Sequence, residues 1–175
     1  MPNLASLQEI LANKEARAKH QEVLRLRYGW PILSLSINMP GASKQNSASK
    51  TIFETLRDAL HVRIEQEGWN FKDESIKDSI TGPEMMLAVQ CDGISLKHLT
   101  CELEETHPLG RFGDIDVISP DGGLISRKSL GYPSRLCYLC NNDAKICARS
   151  QAHSVEDLHH FIHLKITEFH HESCS

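Results

Sequence analysis

Between residues 31 and 67 the apolar side chains change their spacing, and that change constrains the fold more than any other feature of the chain. Pro31 to Met39 (PILSLSINM) alternates apolar and small polar residues with a period of two, so it reads as a strand with Leu33, Leu35 and Ile37 pointing inward. Pro40 and Gly41 end it, and a polar loop with Ser43, Lys44, Asn46 and Ser47 follows. From about Ala48 to Glu67, Ile52, Phe53, Leu56, Leu60 and Ile64 fall at helical spacing, until Gly68 supplies a left-handed stop. Strand, glycine-containing loop and helix in that order can offer free N–H groups to an anion at the helix start, although the same layout also occurs as plain structure.

The same two periods organise the rest. Ser6 and Glu9 stand at capping-box spacing ahead of a helix to about Arg27, whose polar side carries Arg17, Lys19, Arg25 and Arg27. Trp69 to Ile76 and Glu84 to Gln90 read as strands joined through Thr81-Gly82-Pro83. Leu96, Leu99 and Leu103 suggest a short helix closed by the acidic run Glu102, Glu104 and Glu105. Asp114 to Ser119 is strand-like, Pro120-Asp121-Gly122-Gly123 a hairpin turn, and Leu124 to Arg127 the expected return strand. A last helix starts at Ser154, with Leu158, Phe161, Ile162 and Phe169 on one face. Helices mixed with hairpin-linked strands predict an α+β fold: one domain over residues 1–175, with a mixed or mostly antiparallel sheet and flanking helices.

Composition narrows the function. A formal net charge of -4 argues against a chain that coats nucleic acid, which needs clustered Lys and Arg. No window approaches a membrane span and no signal-peptide layout opens the chain, so the cytoplasm is the expected address. Its six cysteines then read as free thiols, catalytic groups or metal ligands rather than a disulfide framework.

The most informative stretch is His107-Pro-Leu-Gly-Arg-Phe-Gly-Asp114-Ile-Asp116-Val117. On a strand Asp114 and Asp116 project from one face, about 7 Å apart at Cα, while Ile115 and Val117 anchor the other. Two carboxylates on one rigid strand suit a hard cation such as Mg²⁺, which keeps open positions for phosphate oxygens. They would equally be the exposed side of an amphipathic strand, but Asp is a poor strand former. Gly110 and Gly113 would let backbone approach a phosphate, and Arg111 would offset charge on a leaving group. His107 is a candidate base or phosphate contact, or simply a loop residue.

A second constellation, Cys137-x2-Cys140-x6-Cys147-x5-His153, contains the thiolate and imidazole groups of a tetrahedral zinc site. Only its first pair has the usual knuckle spacing, and buried free thiols beside a loop account for Cys140 and Cys147 as well. Arg135 and Arg149 flank the segment and suit phosphate recognition, with surface ion pairs as the plain alternative. Cys91, Cys101 and Cys174 have no evident partner. His159, His160, His163, His170 and His171 read as a solvated helical face, with His159 and His163 spaced to share a metal.

The run His107-Pro-Leu-Gly-Arg-x-x-Asp-Ile-Asp-Val, then Arg135-Leu-Cys-x-Leu-Cys and Cys147-Ala-Arg-Ser-x-x-His153, resembles citrate lyase holo-acyl-carrier-protein synthase, formally apo-citrate lyase phosphoribosyl-dephospho-CoA transferase. The resemblance spans nearly the whole chain, including Met39-Pro-Gly-x-x-Lys44 and the Ile52-Phe53 helix. It implies a nucleotidyltransferase-like enzyme that takes 2'-(5''-triphosphoribosyl)-3'-dephospho-CoA. A serine of the acyl carrier protein (the gamma subunit) attacks the phosphate nearest the ribose, and pyrophosphate leaves. It further implies Mg²⁺ on Asp114 and Asp116, triphosphate contacts from Arg111 and Lys44, and His107 or an aspartate as proton acceptor. Gly113 stands where the family often has a bulkier residue, which bears on pocket shape rather than reaction class. Two rivals remain: the equivalent transferase for the malonate decarboxylase carrier, and a non-catalytic zinc-knuckle module that binds a protein partner. An acidic carrier leads us to expect a local basic patch from the first helix.

Overall fold

The computed structural model describes residues 6–140 and 142–173; Cys174 lies outside them. The first helix, α1 (Leu7–Tyr28), opens with the expected capping box: the Ser6 hydroxyl accepts the Glu9 N–H at 3.2 Å, and the Glu9 carboxylate accepts the Ser6 N–H at 2.8 Å. Strand β1 (Ile32–Ile37) and helix α2 (Ser47–Gln66) follow. Gly68, at φ +70°, turns the chain after α2, with its N–H on Glu65 O and that of Trp69 on Ile64 O. Next come β2 (Asn70–Ser79), β3 (Gly82–Gln90), α3 (Gly93–Thr106, capped by Asp92), β4 (Gly113–Ile118), α4 (Ala144–Ser150) and α5 (Val155–Ser173).

The four strands form one antiparallel sheet in the order β2-β3-β1-β4, at the antiparallel end of the range expected. Its register sorts side chains into two unlike faces, because alternate residues point to opposite sides. Leu33, Leu35, Met85, Leu87, Val89, Ile115 and Val117 face the main core, closed by Ile52, Phe53, Leu56, Leu60 and Ile64 of α2, by Leu96, Leu99 and Leu103 of α3, and by Ile162 of α5. Fully burying each such side chain contributes about 1.5–3 kcal/mol.

The opposite face is divided. At one end Ile32, Met86, Ala88 and Ile118 pack with Leu24 of α1, the one helix residue there that is fully buried. At the other end the same rows continue as Ser34, Ser36, Glu84, Asp114 and Asp116. An apolar end thus seats α1, and a polar end is left beneath the helix's first half.

The turn after β4 forms as expected, Gly122 standing at φ +95° with its N–H on Ser119 O and the Ser119 N–H on Gly123 O. The return strand at Leu124 to Arg127 does not. A single bridge, Ile118 to Leu124, is made before the chain enters a 3-10 turn at Arg127–Leu130. The cause is twofold: Leu124 is 62% exposed, so no apolar row holds a strand there, and the outer edge of β4 is already occupied by side chains of α3. Helix α4, which sequence periodicity did not reveal, is held by Asp143, whose carboxylate accepts from Lys145 and Ile146.

Candidate active site

Asp114 and Asp116 project from the α1 face of β4, paired across β1 with Ser36 and Ser34. Burial raises the pKa of Asp116 above the ordinary carboxylate value, and the neighbouring Asp114 charge raises it further; Lys97, Arg17 and Arg135 act against the shift. Glu84 lies in the same row as Asp114, on the far side of Ser36. Helix α1 reaches this row: Arg17 donates to the Ser34 hydroxyl at 3.0 Å and stands 3.6 Å from Glu84, which also accepts from Asn13 at 3.0 Å.

Arg135 connects the aspartates to a cavity. Its guanidinium donates to Asp114 Oδ1 at 3.1 Å and to buried Glu104. Burial works against its charge, but Glu104 and Asp114 outweigh that cost and raise its pKa. Arg135 also lines a cavity of about 780 Å³, with Arg111, Lys44, Tyr138, the loop at Asn38–Gly41 and the start of α5. That volume lies within the range of ligand sites for molecules of nucleotide size. Three cations thus face one space. Burial holds Lys44 below the usual lysine value, and its ammonium donates to Met39 O, while Arg111 donates to Leu136 O. The aspartates do not line the cavity; they adjoin it through Arg135.

The cysteine constellation converges. The ligand atoms of Cys137, Cys140, Cys147 and His153 all lie within 4.8 Å of one another, with Cys140 Sγ at 3.5 Å from Cys147 Sγ and 3.3 Å from His153 Nε2. Bonds of about 2.3 Å to sulfur and 2.0–2.1 Å to nitrogen in a tetrahedron require separations of this order. The donor set, three thiols and one imidazole, is that of a closed structural zinc site. Among the described residues no cysteine is disulfide-bonded. The irregular second half of the spacing is bridged by α4, which carries Cys147, and by the left-handed turn at Gln151 that brings back His153. Cys137, Cys147 and His153 also line the cavity, so the cluster and the pocket share a wall. Among the described residues this is the one group of three or more metal-binding side chains, so the α5 histidines gather no such set.

The remaining residues singled out in the sequence fall elsewhere. His107 ends α3, its Nδ1 accepting the Leu109 N–H at 3.1 Å and its ring resting against Phe169; burial lowers its pKa, and it does not line the cavity. Gly110 and Gly113 have packing reasons to lack a side chain. A Cβ on Gly110 would lie 2.3 Å from Leu103 O, and one on Gly113 would lie 2.8 Å from Leu56. Arg149 is exposed on α4 and outside the cavity. Sequence reasoning missed Arg17, Ser34, Glu84, Lys97 and Glu104 as parts of the site. Only tertiary pairing exposes these, although a buried Lys and Glu seven residues apart on one helix is the sort of signal that burial makes readable.

A family model described as apo-citrate lyase phosphoribosyl-dephospho-CoA transferase matches residues 5–169. A relative from Vibrio cholerae serotype O1, named as a probable transferase of that description, is 41% identical over 159 residues, which is 90% of this chain and 89% of the relative. Similar proteins named as that transferase, from Escherichia coli and from Shigella boydii serotype 18, are 36% identical over 163 residues with the same shares.

Proposed function

The chain belongs to the apo-citrate lyase phosphoribosyl-dephospho-CoA transferase family, and from that premise we propose that it transfers the phosphoribosyl-dephospho-CoA group from its triphosphorylated donor to a serine of the citrate lyase acyl carrier protein. The observation that carries the site assignment is Arg135, which touches Asp114 and lines the three-cation cavity at once. The family match over residues 5–169 supports one transferase domain along the chain, and the Asp-x-Asp pair on β4 supports a nucleotidyltransferase-like reading of the fold. Among the described residues no helix is long and apolar enough to cross a membrane, which agrees with a cytoplasmic setting for a carrier-modifying enzyme.

In this reading the donor's phosphates lie toward Lys44, Arg111 and Arg135, which neutralise charge that grows on the leaving pyrophosphate. The serine oxygen forms a bond to the phosphorus nearest the ribose as the bond from that phosphorus to the pyrophosphate oxygen breaks. The serine proton passes to an aspartate of the pair. His107 is the weaker acceptor, because its Nδ1 already accepts from Leu109 and its ring is outside the cavity. The close, mutually repelling carboxylates of Asp114 and Asp116 fit a divalent cation, and Mg²⁺ held there would supply further neutralisation of the phosphates. Cys137, Cys140, Cys147 and His153 would hold one Zn²⁺ with no open position, so its contribution is to shape the cavity wall rather than to react.

The test is intact-mass spectrometry of the apo carrier incubated with Mg²⁺, the triphosphoribosyl donor and either this protein or its Asp114→Asn, Asp116→Asn variant. The expected gain equals the donor minus pyrophosphate, and the variant should slow it by at least about a thousandfold, the scale on which losing transition-state charge stabilisation acts. No gain from folded protein with a competent carrier would refute the transferase reading. A gain on the malonate decarboxylase carrier alone would reassign the partner.

A further inference from the structure

The strand that carries Asp114 and Asp116 is an edge strand: among the described residues β1 is its one strand partner, and its other side meets the chain only at the bridge from Ile118 to Leu124. Outward-facing N–H and C=O groups on an edge are normally left to water. Here the residue between the two aspartates is treated differently. The Ile115 N–H donates to Glu104 Oε1 at 3.2 Å, and the Ile115 C=O accepts from Lys97 Nζ at 2.8 Å. Lys97 and Glu104 stand seven residues apart on α3, two turns along one face, and are only 5% and 3% exposed. Together they stand in for a fifth strand over one residue of the ladder.

Glu104 has a second engagement. The carboxylate that holds Ile115 also holds Arg135, which reaches on to Asp114, and Arg127 completes the set at 3.7 Å. One buried carboxylate therefore fixes both the backbone of the Asp-x-Asp strand and the cation beside its first aspartate. An apolar cover would leave the Ile115 N–H and C=O unpaired, but neutral polar side chains would satisfy both, and buried charges add a desolvation cost, so a plain edge cover did not call for charges. What charges supply, and apolar contact does not, is a fixed orientation for a second charged group.

Resting on the transferase reading above, we infer that Glu104 and Lys97 are positioning residues for the transfer: they set the spacing of Asp114 and Asp116 and aim Arg135 between the aspartates and the donor cavity. Neither touches substrate. A misplacement of about 1 Å at a reacting centre costs on the order of a hundredfold in rate, so loosening this strand is felt in the chemical step.

The experiment measures kcat and KM for carrier modification in Glu104→Gln, Lys97→Met and, as a control, Glu102→Gln, whose carboxylate is exposed and bonded to Arg63. The amide introduced by Glu104→Gln keeps an oxygen for the Ile115 N–H but loses the charge that holds Arg135. The expected result is a fall in kcat of about ten- to a hundredfold for both buried variants, KM for the carrier within about twofold, and no change in the control. The apparent Mg²⁺ requirement should rise in Glu104→Gln, which a merely structural role would not move. Should Glu104→Gln not fold, Lys97→Met alone decides, since it removes one hydrogen bond and keeps the side-chain volume. Wild-type kcat in a folded Lys97→Met or Glu104→Gln protein overturns the inference. A wild-type protein that transfers nothing overturns the transferase reading instead.

Discussion

The sheet with its helices and the cysteine segment from residue 133 to 153 are ordered by different physics. In the sheet, apolar side chains disappear from water: Leu33, Leu35, Leu56, Leu60, Met85 and Ile115 are 0% exposed. In the segment the relation is reversed. Leu136, Leu139 and Ile146 are 44%, 37% and 64% exposed, whereas the described residues buried there are Cys137 and Cys147. Among its described residues regular structure is sparse too, limited to the bridge between Leu136 and Asp143 and the short α4. Tyr138 ties the segment to the core, stacked on Phe161 and edge-on to Phe112, with its hydroxyl on Asn38 O at 3.4 Å. A stretch that leaves its aliphatic residues in water while gathering three thiols and an imidazole draws little on apolar burial, and the contrast teaches where the zinc proposed above would contribute to folding.

That contrast breaks most sharply under metal removal. Strong chelation, or Cys147→Ser, should raise amide hydrogen exchange throughout residues 133–153 while the central strands keep their protection. Apparent binding energies of structural zinc in small peptides are about 10–16 kcal/mol, so the local effect should be the largest obtainable here. Mass spectrometry under native conditions should find one zinc per chain beforehand. Unchanged exchange in demonstrably metal-free protein would mean that Tyr138 and the backbone bonds suffice.

The converse cut is Leu35→Ala in the sheet. Leu35 is fully buried between Met85 and Ile115, so the loss should be about 2–5 kcal/mol of global stability, read as a lower urea midpoint with an unchanged slope. The folded fraction should retain its zinc. If zinc release instead follows the unfolding curve from its foot in the variant and in the parent alike, the two regions are one cooperative unit.

The two regions were also unequally legible in the sequence. Periodicity located β1, α2, α3, β4 and α5, because each has one apolar row facing a shared core. It failed at Leu124 to Arg127, where the β4 edge is closed by Lys97 and Glu104 rather than by another strand. In the cysteine segment there was no period to read, yet the ligand types alone named the four residues that meet. The aspartates were visible because two poor strand formers share one face. Glu84, Lys97, Glu104 and Arg17 were not, because each looks like an ordinary surface charge until the fold places it against β1, β3 or β4. Gly110 and Gly113 also carry a packing demand that sequence spacing does not reveal, since the space beside them belongs to α3 and to Leu56.

The smallest effect probes a cost that the sheet carries and the cysteine segment does not. Burial and the Asp114 charge raise the folded pKa of Asp116 above its ordinary value of 3.8. Between that value and the raised one, the folded protein binds more protons than the unfolded chain, so stability falls as pH rises through this window. Near neutrality the charge on Asp116 is then a cost to folding, one that the metal-binding role proposed for it beside Asp114 would explain. Asp116→Asn should then be more stable than the parent at neutral pH, by less than about 1 kcal/mol. The advantage should vanish as pH falls below the ordinary carboxylate value, where both chains carry a neutral group. Thermal melts of the two proteins across that range check the prediction, alongside the loss of transfer activity in the same variant. A variant less stable than the parent at neutral pH, by a margin that closes on acidification, would show that Lys97, Arg17 and Arg135 more than offset the repulsion. The polar end of the sheet would then be a balanced charge network rather than a strained one.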